Sequence, residues 1–208
     1  MSRASITLAL LRPLIRAIDW VPLAVTVSIS LCLAAGMEPG DPLEPGLGLL
    51  ILRTSAILLG SAAAFALTDA MAPSSAAAAP VPRWLRQWER TLLAGAASAL
   101  GWGLTSAIVV ARLAPGATLG FPGTALEAAI CLLAGPAAAA VAVRRYPGKP
   151  AALTGAFFLF TGWAAMQLTG PAAWAGPYGG QGNAALWWAA ALVVALVVLA
   201  AAHRDVRR

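Results

Sequence analysis

The chain alternates long apolar stretches with short polar ones. Six of the apolar stretches reach the roughly 20 residues with which an α-helix crosses about 30 Å of hydrocarbon. They run from Trp20 to Met37, Gly46 to Leu67, Thr91 to Arg112, Gly123 to Val143, Ala151 to Gly170 and Ala184 to His203. A water-soluble helical bundle would keep a polar stripe on each helix, and the third, fifth and sixth stretches have none. Unpaired backbone groups are costly in lipid, so each stretch is predicted to be helical despite its glycines. Small residues every fourth position, Gly60, Ala64 and Thr68 or Ala97, Gly101 and Thr105, read as surfaces where helices approach closely. The pattern predicts one all-α integral membrane domain over residues 1–208, with no large soluble insertion.

Two further segments are amphipathic without spanning. In residues 1–19, Leu8, Leu11, Ile15 and Ile18 form one stripe and Arg12, Arg16 and Asp19 the next, with Pro13 as a kink. This suits an interfacial elbow helix. The second is the connection over residues 68–90, TDAMAPSSAAAAPVPRWLRQWER. There Pro80 and Pro82 precede a short helix with Trp84 and Trp88 on one face and Arg83, Arg86 and Arg90 on another. It reads either as an aromatic and basic anchor at the lipid headgroups or as a docking element for a cytoplasmic partner.

Charge orients this pattern. Twelve of the 14 basic residues fall on one side of a six-pass topology: Arg3, Arg12, Arg16, Arg83, Arg86, Arg90, Arg144, Arg145, Lys149, Arg204, Arg207 and Arg208. The loops on the other side, MEPGDPLEPG, APGATLGFPG and GPAAWAGPYGGQGN, contain no Lys or Arg. By the positive-inside bias the basic side is cytoplasmic, which puts both termini in the cytoplasm and the chain in the inner (plasma) membrane. With 60% hydrophobic and 11% charged residues and a mean hydropathy of +0.80, there is too little polar surface for a soluble globule. The net charge of +6 does not indicate nucleic-acid binding, because the charges flank spans instead of forming a stripe on a water-soluble face. The N-terminal apolar stretch, interrupted by Arg12 and Arg16 and lacking a small-residue cleavage site, is expected to be retained. Cys32 and Cys131 read as small buried hydrophobes, not a disulfide pair.

Arg53, Glu127 and Gln167 are the notable polar residues inside the spans, since a charge there is costly unless paired or hydrated. Counting along the spans puts all three in the outer third, Arg53 about two turns deep and Glu127 about one. Two outcomes stay open. Arg53 snorkels outward while Glu127 meets headgroup water, or the two pair in a polar layer lining the external side of a translocation path. Thr54, Ser55, Thr105 and Ser106 would add little to that layer, because such hydroxyls usually bond their own helix. Asp69, at the cytoplasmic end of span two, reads as a cap. Trp102 reads as packing between helices and His203 as an interfacial bystander.

The chemistry-bearing patterns are sparse. One histidine is too few for a histidine metal site or a Ser and His pair. No GxxxxGK[ST] motif occurs, so ATP dependence would need another chain. Gly101, Gly103 and Ser106 mimic a phosphate fingerprint but sit mid-span. The acidic cluster Glu38, Asp41 and Glu44 lies in a Pro-rich external loop.

The elbow helix, the six spans with both ends inside and the amphipathic element after span two together resemble the permease subunit of a type-2 ABC transporter. The segment FALTDAMAPSSAAAAPVPRWLRQWER is similar to the span-two exit of small actinobacterial permeases. The resemblance covers the whole chain and implies a dimer of such subunits, identical or different. Each would dock a separate ATPase, which carries the ATP and Mg, through Asp69, Arg83, Trp84, Leu85, Arg86, Trp88 and Arg90 and through the elbow at Arg3 to Asp19. It also implies a short external re-entrant segment at PAAWAGPYGGQGN. The expected function is export of a lipidic or amphipathic substrate by a chain that is not itself an enzyme and carries no cofactor. The competing readings are a non-transporting membrane scaffold or assembly subunit and, more remotely, an intramembrane enzyme.

Overall fold

The computed structural model describes residues 18–37, 40–67, 83–146, 148–169 and 184–203. Among them the chain is all-helical, with six helices in the expected order. These are α1 (Val21–Gly36), α2 (Pro45–Phe65), α3 (Arg83–Arg112), α4 (Phe121–Val143), α5 (Lys149–Thr169) and α6 (Ala184–His203). The stretches Pro45–Phe65, Gln87–Arg112, Phe121–Val143 and Leu186–His203 are long and apolar enough to cross a membrane, and α1 is a shorter apolar helix. Residues 1–17 of the expected elbow (1–19), residues 68–82 of the expected connection (68–90), including Asp69, and the external segment over 171–183 lie outside the described residues.

Proline sets several helix starts, occupying the first or second position of α1, α2 and α4, where its missing N–H has no helical partner to lose. The amide of Val21 also donates to Asp19 Oδ1 at 3.2 Å, which closes the entry to α1. Gly40, Gly116 and Gly148 take positive φ of 100°, 82° and 93° in the turns, a conformation that side chains resist.

One boundary differs from the sequence expectation. The short helix after Pro82 and span three are a single 30-residue helix, Arg83–Arg112. No glycine or proline interrupts residues 83–94, and Leu85, Arg86, Gln87, Glu89 and Arg90 are strong helix formers. At 1.5 Å per residue α3 is about 45 Å long, roughly 15 Å more than the hydrocarbon thickness.

The helices alternate in direction, as contacts at the two bundle ends establish. At one end Ile18 packs with Ala63, Ala66 and Ala94, and Ala151 packs with Ala142 and Val143. At the other end the Leu43 amide donates to the Arg112 carbonyl at 2.7 Å, in an isolated bridge between Leu43 and Leu113. An arginine closes a helix C-terminus at each end. Arg112 donates to the carbonyls of Ala34 (2.7 Å) and Met37 (2.6 Å) at the end of α1. Arg144 does the same for Ala202 (3.1 Å) and Ala201 (2.7 Å) at the end of α6. These are orphan carbonyls that the helix itself cannot satisfy.

The centre of the bundle is α2 and α4. Helix α2 touches α1, α3, α4 and α5, whereas α4 touches α2, α3, α5 and α6. Helices α5 and α6 both rest on α4 and, among the described residues, make no contact with each other. Glycines allow the central approach. A Cβ on Gly60 would strike the carbonyl of Cys131, one on Gly135 the carbonyl of Gly60, and one on Gly155 the carbonyl of Gly135. Large apolar side chains remain exposed around the outside, including Leu100 and Leu104 of α3, Phe157 and Phe158 of α5 and Val193 and Val197 of α6. Such a continuous apolar exterior is unlike a soluble monomer and suits contact with lipid. Cys32 belongs to that exterior rather than to the core, while Cys131 is half-buried at the α2 crossing.

Candidate functional site

Arg53 and Glu127 are brought together. Arg53 lies eight residues into α2 and Glu127 six residues into α4, about 12 Å and 9 Å along helices that run alongside each other. Their side chains therefore meet at one level. The Arg53 guanidinium donates from Nε to Glu127 Oε2 at 2.8 Å and from Nη2 to Oε1 at 3.0 Å. This is the two-pronged geometry in which a planar guanidinium matches a carboxylate. The Arg53 side chain is 20% exposed and that of Glu127 only 4%, so the pair is reached from the arginine side.

The pair lies on the wall of a cavity of about 200 Å³. Leu52, Ala56 and Ile57 of α2 form its back, Ala128, Ile130, Cys131 and Ala134 of α4 one side, and Phe158, Leu159, Gly162, Trp163 and Met166 of α5 the other. Trp188 of α6 stands at its edge. Phe158 is exposed and Trp188 half-buried, so the mouth is at the outer surface, beside α5 and α6, which among the described residues do not approach each other. Gln167 follows Met166 in α5, and its side chain lies outside the described residues.

Thr105 and Ser106 do not extend this polar patch. Thr105 donates to the Gly101 carbonyl at 2.9 Å and Ser106 to that of Trp102 at 2.8 Å. Ser55 is buried with no partner for its hydroxyl among the described residues. Trp102 packs between helices as expected and adds a link to the site. Its Nε1–H donates to the Leu52 carbonyl at 3.1 Å, next to Arg53 in the chain, while its ring lies 5.9 Å from that of Phe121.

The opposite end of the bundle carries a second cluster. Arg83, Trp84 and Arg86 occupy the first turn of α3, with side chains outside the described residues. Leu85 is half-buried. Trp88 and Arg90 do not project freely: Trp88 stacks on the His203 ring at 4.7 Å, and Arg90 is 6% exposed. His203 is not a bystander. It is buried, and its Nε2 lies 3.0 Å from Thr91 Oγ1 and its Nδ1 2.6 Å from the Leu199 carbonyl. Nδ1–H therefore donates to the Leu199 carbonyl, while Nε2 faces a hydroxyl whose own proton is directed at the Gln87 carbonyl at 2.8 Å. A sequence cue existed, since Thr91 and His203 end their predicted spans at one level, but depth does not show which helix faces which.

Among the described residues no group of three His, Cys, Asp or Glu side chains could hold a metal ion. Comparison with family models, curated proteins and solved structures found no match. The functional reading therefore rests on residues and geometry.

Proposed function

We propose that this chain is the membrane-spanning permease subunit of an ATP-driven transporter of the type-2 ABC kind. It crosses the plasma membrane six times with both termini cytoplasmic and exports a lipidic or amphipathic substrate. A separate ATPase, binding ATP and Mg, docks at the basic end of the bundle, and a second permease subunit completes the transporter.

The observation that best supports this reading is the continuity of α3. It runs unbroken from Arg83 at the basic end to Trp102, whose indole holds the Leu52 carbonyl beside the cavity. An ATPase moving the start of α3 would act on a rigid element that also contacts the cavity wall, and both arrangements of that element would bias the cavity. The docking contacts fall on Arg83, Trp84 and Arg86, with Asp69 in the preceding connection; Trp88 and Arg90 hold α3 within the bundle. The chain's own work is conformational, with no covalent step.

The test is affinity purification of the tagged chain from its native membrane under gentle extraction, with mass spectrometry of stoichiometric companions. A P-loop ATPase is expected, and Trp84→Ala/Arg86→Ala should lose it while leaving insertion and helix content intact. Absence of an ATPase overturns the permease reading in favour of a membrane scaffold.

A further inference from the structure

We infer that the cavity between α2, α4 and α5 takes the acyl chain of a lipid whose head is uncharged, with an ester, amide or hydroxyl oxygen placed at Arg53. As cargo this ligand deepens the permease reading and rests on it; as a bound lipid it stands alone.

Size and lining specify the chain. A cavity of about 200 Å³ slightly exceeds the roughly 150 Å³ known to accept a benzene ring, room for a segment of about eight carbons. Its walls are aliphatic and aromatic apart from the ion pair, Thr124 and the Cys131 thiol. Exposed Phe158 of α5 and half-buried Trp188 of α6 stand at its edge, and these two helices make no backbone approach among the described residues, so the cavity opens to the apolar exterior. A chain can enter sideways from the bilayer without its head crossing the bundle.

Electrostatics specify the head. Arg53 and Glu127 already neutralise each other through two hydrogen bonds. A carboxylate or phosphate added beside them would leave at least one net negative charge in a weakly solvated site, and an ammonium one net positive charge. Either is penalised because buried charge needs its own counterion. A neutral oxygen adds no charge, and Arg53, the more exposed member of the pair, supplies the donor side. The pair thus acts as a filter that accepts hydrogen-bonding heads and rejects ionic ones.

The experiment uses the purified full chain in phosphatidylcholine nanodiscs. Two photoreactive probes share one diazirine-bearing acyl chain, one headed by glycerol (a monoacylglycerol) and the other by glycerol phosphate (a lysophosphatidic acid). Adducts are mapped by mass spectrometry. At Ile130, Ala134 and Leu159 the neutral probe should label at least threefold more than the phosphate probe, whereas the exposed α6 residues Val193 and Val197 should label equally with both. Ala134→Phe should remove the cavity adducts and keep those at Val193 and Val197. Arg53→Met/Glu127→Leu should keep the chain in the cavity and abolish the head preference. Equal labelling of Ile130, Ala134 and Leu159 by the two probes in the unaltered chain, or a phosphate preference, overturns the inference regardless of how any variant folds. Because labelling needs no ATPase, loss of the permease reading and loss of this site would be distinguishable.

Discussion

Separating Arg53 from Glu127 should expose an asymmetry characteristic of a buried ion pair. The two side chains share hydrogen bonds of 2.8 and 3.0 Å, and a hydrogen bond to a charged group contributes about 1.5–3 kcal/mol net. Arg53→Met leaves the Glu127 carboxylate, whose side chain is 4% exposed, with no guanidinium, and removal of one member of a buried pair costs about 3–5 kcal/mol. Glu127→Leu should cost less, about 2–3 kcal/mol, because Arg53 is partly exposed and its long stem can reach towards the interface. Arg53→Met/Glu127→Leu removes both charges and keeps the volume, so it should unfold within about 1 kcal/mol of the unaltered chain, or later. The double-mutant cycle then yields a coupling of at least about 3 kcal/mol. Unfolding in mixed micelles with increasing dodecyl sulfate, followed by tryptophan fluorescence, measures all four proteins. Single losses that add to the double within about 0.5 kcal/mol would show that the residues do not act as a pair.

Other positions make independent predictions. Gly135→Leu should destabilise by at least about 1–3 kcal/mol, because the new Cβ meets the Gly60 backbone, which no rotamer relieves. Gly95→Ala, with open space around the site, should instead be neutral or stabilise α3 by up to about 1 kcal/mol; the same unfolding titration compares them. His203→Ala should cost about 1–2 kcal/mol through the lost Thr91 and Leu199 bonds and speed hydrogen exchange in the last turn of α6. Arg144→Lys should also speed exchange in that turn, since one ammonium does not reproduce the fork to Ala201 and Ala202.

The one-dimensional features of this protein were legible in its sequence. Each of the six apolar stretches became a helix, because a long apolar stretch removed from water must satisfy its backbone internally whatever surrounds it. The level of Arg53 and Glu127 along their helices followed from counting residues, since helical rise is constant. That Trp102 would sit between helices followed from its position far from either end of a span. Where expectation and structure part, the missing information is rotational or relational. Only the tertiary arrangement decided that α2 and α4 turn Arg53 and Glu127 towards each other, because depth says nothing about azimuth. The close approach through Gly60, Gly135 and Gly155 brings α2, distant in sequence, against the consecutive helices α4 and α5, and a small-residue pattern on one helix does not name its neighbour. His203 and Cys32 show the same limit: one is drawn inward by Trp88 and Thr91, the other left outside because α1 packs with its opposite face. The cavity is the clearest case, since it exists because α5 and α6 each lean on α4 and not on each other, a relation among helices that no single segment of the chain carries.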